Sequence, residues 1–224
     1  PCGLQSVYRA VADLRRAYSP FYTAAMSTTP LASAPFSQFL SQIAAKTPTP
    51  GGGAVACATG ALAAALAGMV VSYSVGKKSL ADHKADLERA AHTLENTRSV
   101  FLELGEEDAA AYGLVNELMR LPEGDARRKN ELPAAMKASI QVPMAAIAAA
   151  ADLLRLCERL APITNTQLHS DLGIAVTLAE AAAKASLWNV RVNAGVLGDE
   201  AEKRRWMEQA RGLIAETGAR AAAL

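Results

Sequence analysis

From Ala54 to Val75 the chain runs for 22 residues without a charge, directly behind Thr47-Pro48-Thr49-Pro50-Gly51-Gly52-Gly53. The run is built from alanine and glycine with few large aliphatics. Alanine favours helix, and small side chains let helix backbones approach closely. A helix apolar on every side predicts burial on every side, at the centre of a bundle. The run is also long enough to span a bilayer. Its small residues, diluted by Thr59, Ser72 and Ser74, favour the bundle centre, and no membrane partner is expected.

The entry to this helix has two physical readings. Two prolines stiffen it, and three glycines allow an approach that a Cβ would block. Unpaired N–H groups at a helix start favour an anion. Pro50, Gly51, Gly52 and Gly53 therefore suit a turn that touches a ligand. Equally, Pro and Gly are ordinary punctuation before a packed helix. No Gly-x-Gly-x-x-Gly follows a strand and no Gly-Lys-Ser/Thr follows the loop, so a nucleotide loop is excluded.

The rest of the chain predicts further helices. Phe36, Phe39, Leu40 and Ile43 recur at helical spacing, giving a short helix over 36–46. Gly76-Lys77-Lys78 ends the alanine-rich helix. Over 80–119 a heptad register runs through 80, 83, 87, 90, 94, 97, 101, 104, 108, 111, 115 and 118. Leu121-Pro122-Glu123-Gly124 breaks that helix. Another covers 125–160, with a kink expected at Pro143 and a stop at Pro162. Helices over 170–197 and 199–220 complete an all-α, mostly antiparallel bundle of long helices. No period-2 strand pattern or internal repeat is present. The exposed apolar surface of such a bundle predicts a homodimer through helix faces, against a closed monomer.

At 224 residues the chain forms one domain with a core that needs no staples. A net charge of +1 suggests no nucleic-acid partner. Cys2, Cys57 and Cys157 are odd in number and widely spaced, which predicts buried thiols in a reducing, cytoplasmic compartment. Residues 1–25 lack a clear core pattern, and Met26 resembles a natural start. They are expected to be an extension or mis-called start outside the core domain of 26–224, with a targeting peptide as the rival reading. Without their three arginines and one aspartate the net charge moves from +1 to −1. No apolar segment suited to secretion precedes Met26.

On the heptad stripe every position is apolar or small except His83, Thr97 and Asp108. Glu103, Glu106 and Glu107 fall off the stripe, where solvent is expected. A carboxylate on an apolar stripe is costly to ionise unless a cation or donors meet it. Its pKa should rise into the range of a general acid or base, unless the stripe opens to water there. In 170–197, Leu172, Ala175, Ala179, Ala182, Ser186, Asn189, Asn193 and Val196 share one face. Ile174, Leu178, Ala181, Ala185, Trp188 and Val192 make a second, so burial on two sides is expected. Asn189 and Asn193 put two amides one turn apart inside, either for a ligand edge or for an interhelix hydrogen bond. Ser170 or Asp171 is expected to cap this helix. His83, His92 and His169 show no ligand spacing with each other or with cysteine, so no metal is expected. No Ser-His-Asp arrangement is legible.

Three stretches, in order, resemble the cyclodeaminase/cyclohydrolase family: the Thr-Pro-Thr-Pro-Gly-Gly-Gly entry with Val75-Gly76-Lys77-Lys78; Glu107-Asp108 with Tyr112 and Met119-Arg120; and Ser170-Asp171 with Asn189 to Asn193. The resemblance spans about residues 36 to 220. It implies a one-carbon-substituted tetrahydrofolate as substrate, no cofactor beyond it, and Asp108 as the catalytic residue. It places Ser170 and Asp171 at the border of the folate site. Lys77, Lys78 and Arg120 are then expected to meet a glutamate or polyglutamate tail. The chain carries no stretch resembling a formiminotransferase, and its motifs look closer to the stand-alone methenyltetrahydrofolate cyclohydrolases. The expected reaction is therefore hydrolysis of methenyl-tetrahydrofolate to formyl-tetrahydrofolate. The alternatives are release of ammonia from formimino-tetrahydrofolate, and a non-catalytic folate-binding or scaffold subunit.

Overall fold

The computed structural model describes residues 30–224, and all of its long elements are helices. They are α1 (Phe36–Ala44), α2 (Gly52–Ser72), α3 (Lys84–Arg120), α4 (Ala126–Leu160), α5 (His169–Gly195) and α6 (Glu200–Ala223). Residues 1–25 and Cys2, and the expectations attached to them, lie outside the described residues. Short 3₁₀ turns at Lys78–His83, Ala161–Ile163 and Thr166–Leu168 join the helices. No strand occurs among the described residues.

The stops follow the local chemistry. Gly76, at a φ of 82°, turns the chain after α2. Asp125 caps α4 by accepting from the N–H groups of Arg127 and Arg128, and Asp199 caps α6 through Ala201 and Glu202. Long α4 continues through both Pro133 and Pro143 as a single helix. Leu80 and His83 belong to the 3₁₀ turn rather than to α3.

The heptad stripe of α3 is the core seam: Leu87, Leu94, Phe101, Leu104 and Leu118 are buried. α2 lies antiparallel to it in a tight register. A Cβ on Gly60 would come within 2.4 Å of the Phe101 ring, and one on Gly68 within 3.9 Å of the Leu94 side chain. At its far end α2 is tied to the start of α5, where the Asn165 N–H donates to the Ser74 hydroxyl at 2.9 Å. Neighbours α2 and α5 therefore run antiparallel. Outer helix α6 is held on α4 by ion pairs: Arg155 joins Asp152 to Glu216, and Arg220 joins Glu216 to Glu158.

Burial corrects three expectations, and capping a fourth. Only part of α2 is enclosed: Val55 and Leu62, and Tyr73 just beyond its end, are exposed, Leu62 by 51%. One side of α5 is open too, with Ile174, Trp188 and Val192 exposed, Trp188 by 66%. Both helices have one side in this chain's core and another facing out. Glu107 is 5% exposed, not solvated. Finally, α5 begins at His169 behind Leu168 with no side-chain cap, so neither Ser170 nor Asp171 caps it. Asn165 caps the preceding turn instead, accepting from Gln167 N–H. Two helical stretches, Gly52–Ser72 and Ala126–Ile163, are long and apolar enough to cross a membrane, and 56% and 72% of their apolar windows are buried in the bundle.

Candidate active site

The first turn of α2 meets the middle of α3. Extended Gly51 precedes it without a side-chain cap, and the Thr49–Pro50 peptide is cis. At Gly53 the space that a Cβ would fill is taken by the Asp108 carboxyl group, with Oδ2 2.0 Å and Oδ1 2.3 Å from that point. The glycine is thus the seat of the acid. Gly105, one turn before Asp108, closes the same contact: a Cβ there would lie 3.3 Å from Cβ of Cys57 and 3.7 Å from Cα of Ala54.

Asp108 is half-buried, and burial pushes its pKa from 3.8 up to about 6. The partial positive charge at the start of α2 favours the carboxylate and opposes that rise. Near neutrality the group therefore exchanges a proton readily, as a general base or acid must. Cys57 lies one turn further along α2. Burial first, and the neighbouring Asp108 charge second, hold its thiol far above the usual range, so it stays protonated.

Asn189 and Asn193 are half-buried on the last two turns of α5. Because α5 runs antiparallel to α2, they come level with the glycine-rich entry. The Asn193 amide donates to the Ser139 carbonyl of α4 at 2.6 Å, so the interhelix bond foreseen as one reading is present. The opposite end of the bundle holds Lys77 and Lys78, which follow α2, and Ser170 and Asp171, in the first turn of α5. The length of α2, about 30 Å, separates these four from Asp108 within one chain. Arg120 is exposed at the end of α3, about 18 Å beyond Asp108 along the helix. One chain thus gathers Pro50, Gly51, Gly52, Gly53, Asp108, Asn189 and Asn193 at one end, and leaves Lys77, Lys78, Ser170 and Asp171 at the other.

Three features of this end escape a reading of the sequence. Cys57 was legible only as a buried thiol, not as the neighbour of Asp108. Trp188 and Val192 fall on an apolar face that the pattern assigns to the core. The Ser139 carbonyl is a backbone group, signalled only by the proline four residues later. Among the described residues no three His, Cys, Asp or Glu side chains gather as a metal site.

An all-helical bundle with a half-buried acid seated on a helix-opening glycine is the frame of this candidate site. The chain belongs to the formiminotransferase-cyclodeaminase family, whose model matches residues 35–212. It is 34% identical over 185 residues to a methenyltetrahydrofolate cyclohydrolase of Methylorubrum extorquens, covering 81% of this chain and 89% of that one. It is 28% identical to the formimidoyltransferase-cyclodeaminase of Sus scrofa over 84% of its own length, but spans only 36% of that protein. A solved structure, formiminotetrahydrofolate cyclodeaminase from Thermotoga maritima, superposes with a TM-score of 0.79 at 30% identity, covering 86% of this chain and 94% of that one.

Proposed function

We propose that this protein is a folate one-carbon enzyme that hydrolyses methenyl-tetrahydrofolate to formyl-tetrahydrofolate. The observation that carries the reading is the Asp108 carboxyl group, with a pKa raised to about 6, seated against Gly53 at the start of α2. The near-full-length similarity to a protein named methenyltetrahydrofolate cyclohydrolase supports the choice of reaction.

The substrate carbon is cationic, flanked by two nitrogens. Ionised Asp108 steadies that charge and accepts a proton as water adds to the carbon. The C–N bond to one nitrogen then breaks, and Asp108 returns its proton to that nitrogen. The hydroxyl proton goes to solvent as the formyl carbonyl forms. Asp108 ends as it began, and no further cofactor enters. In this reading Pro50, Gly51, Gly52 and Gly53 border the substrate, Asn189 and Asn193 meet polar edges of the pterin, and Ser170 and Asp171 border the folate. Arg120, Lys77 and Lys78 meet the glutamate tail. Lys77, Lys78, Ser170 and Asp171 stand too far from Asp108 in their own chain, so all four serve a ligand held by a second copy. A homodimer through the exposed apolar faces of α2 and α5 is therefore part of the proposal, as is a cytoplasmic location, supported by free, buried Cys57 and Cys157.

Ammonia release from formimino-tetrahydrofolate is the second reading, favoured by the Thermotoga maritima neighbour. Asp108 would then protonate the departing amine. The test is loss of the near-ultraviolet absorbance of methenyl-tetrahydrofolate with purified protein, beside Asp108→Asn. Fast decay that falls by about 100- to 10,000-fold in the variant is expected. No acceleration by the wild-type protein overturns the hydrolase. Ammonia from formimino-tetrahydrofolate would then establish the deaminase, and silence on both substrates would leave a binding or scaffold subunit.

A further inference from the structure

Within an α-helix the carbonyl of residue i accepts from the N–H of residue i+4. For Ser139 that residue is Pro143, which has no N–H. Both residues are buried, so bulk water is not there to replace the lost donor. The replacement comes from another helix, as the Asn193 side chain bonds the Ser139 carbonyl at 2.6 Å. Pro133 creates the same deficit in α4, but its freed carbonyl belongs to exposed Lys129, where water suffices. Only the deficit made by Pro143 calls for a protein donor.

This bond fixes which end of the Asn193 amide faces which way. A backbone carbonyl only accepts, so the atom turned to Ser139 is the NH₂ group. The side-chain oxygen Oδ1 is left on the other side of a residue that is only half-buried. The location is set by the antiparallel packing of α3 and α4. Ala135 packs in one cluster with Leu114 and Leu118. Moving forward one to two turns along α4 and back along α3, the Ser139–Pro143 segment comes level with Asp108.

We propose that Pro143 is a positioning residue. By withholding an N–H from the Ser139 carbonyl it locks the Asn193 amide, and so presents Oδ1 as an acceptor at the Asp108 end of the bundle. Asn193 then selects a hydrogen-bond donor on the ligand, a ring N–H or exocyclic amino group of the kind a reduced pterin carries. This identification of the donor rests on the folate reading; the exchange of donors at Ser139 does not.

The test is Pro143→Ala, which returns an N–H to the Ser139 carbonyl and suits a helix, together with Asn193→Ala and the double variant. With a helix N–H competing for the Ser139 carbonyl, Asn193 should be held less firmly in its orientation. The KM for methenyl-tetrahydrofolate should rise about 10-fold in Pro143→Ala, the worth of one well-placed hydrogen bond, with kcat within about 3-fold. Asn193→Ala should raise KM similarly, and the double variant no further. Thermal unfolding supplies a readout independent of substrate. Asn193→Ala alone should lower Tm by about 3 °C, because it strands a buried carbonyl, and should cost nothing in the Pro143→Ala background. Additive Tm losses overturn the exchange of donors whatever the substrate. An unchanged KM in Pro143→Ala, beside a raised one in Asn193→Ala, overturns the positioning role. Wild-type silence towards methenyl-tetrahydrofolate overturns the pterin assignment together with the folate reading, while the Tm coupling is decided separately.

Discussion

Asp108 is ionised at a cost, and that cost has a sign. In the unfolded chain its proton leaves near pH 3.8; in the folded chain burial delays this to about 6. Between those values the folded state holds the proton more tightly. The associated stability is complete below about pH 4 and is lost as pH rises through 6, up to about 3 kcal/mol before solvent screening of a half-buried group. Asp108→Asn is neutral at every pH, so its Tm should exceed that of the wild type at pH 8 and match it at pH 4. Thermal unfolding at both pH values checks this, since the other carboxylates are common to both proteins. The kcat/KM of the hydrolase should fall on the acid side of about pH 6, where the base becomes protonated; a deaminase that needs the acid form would instead lose activity as pH rises past 6. The sequence made Asp108 conspicuous because the stripe around it is apolar. It did not mark Glu107 as buried, because the heptad pattern assigns only the a and d positions to the core.

At the scale of elements, α2 and α3 are held in register by glycines that face particular side chains. Two substitutions on α2 separate packing from chemistry. In Gly53→Ala the new methyl group meets the end of the flexible Asp108 side chain, which can move aside, and alanine suits the helix. Stability should stay within about 1 kcal/mol, while displacement of the carboxylate should lower kcat/KM by about 100-fold. Gly60→Ala instead meets the Phe101 ring, which is fully enclosed and cannot move aside. It should cost about 1–3 kcal/mol or more by overpacking. Denaturant unfolding and steady-state kinetics on both variants check the pair; equal activity loss in the two would mean that Gly53 has no special relation to Asp108. The stripe of α3 was legible because large leucines alternate with charges. The open side of α2 was not, because alanine and valine recur all round the helix and no polar face marks the outside.

For the whole molecule, Val55 and Leu62 of α2 and Trp188 and Val192 of neighbouring α5 are all exposed, as are Tyr73 and Ile174 towards the opposite end of these helices. A second copy laid across these residues with its helices reversed would cover them and bring the partner's Lys77–Lys78 end towards each Asp108, as the proposed dimer requires. Trp188→Glu should dissociate that dimer, read by sedimentation, and lower turnover even though the residue is not assigned a chemical step. A monomeric, fully active wild type would remove the dimer from the proposal.

The sequence by itself determined the helices, their approximate limits, the α3 seam and the suspect carboxylate, because each depends on local propensity or on periodicity within one helix. It also brought the glycine-rich entry and Asp108 under one family resemblance without bringing them into contact. The tertiary structure alone decided that Gly53 seats Asp108, that Asn193 serves the carbonyl released by Pro143, and that Lys77 and Ser170 sit a helix length away. Those relations depend on the register between helices. Such register is fixed by side-chain fit across long sequence separations, which no one-dimensional pattern in the chain encodes.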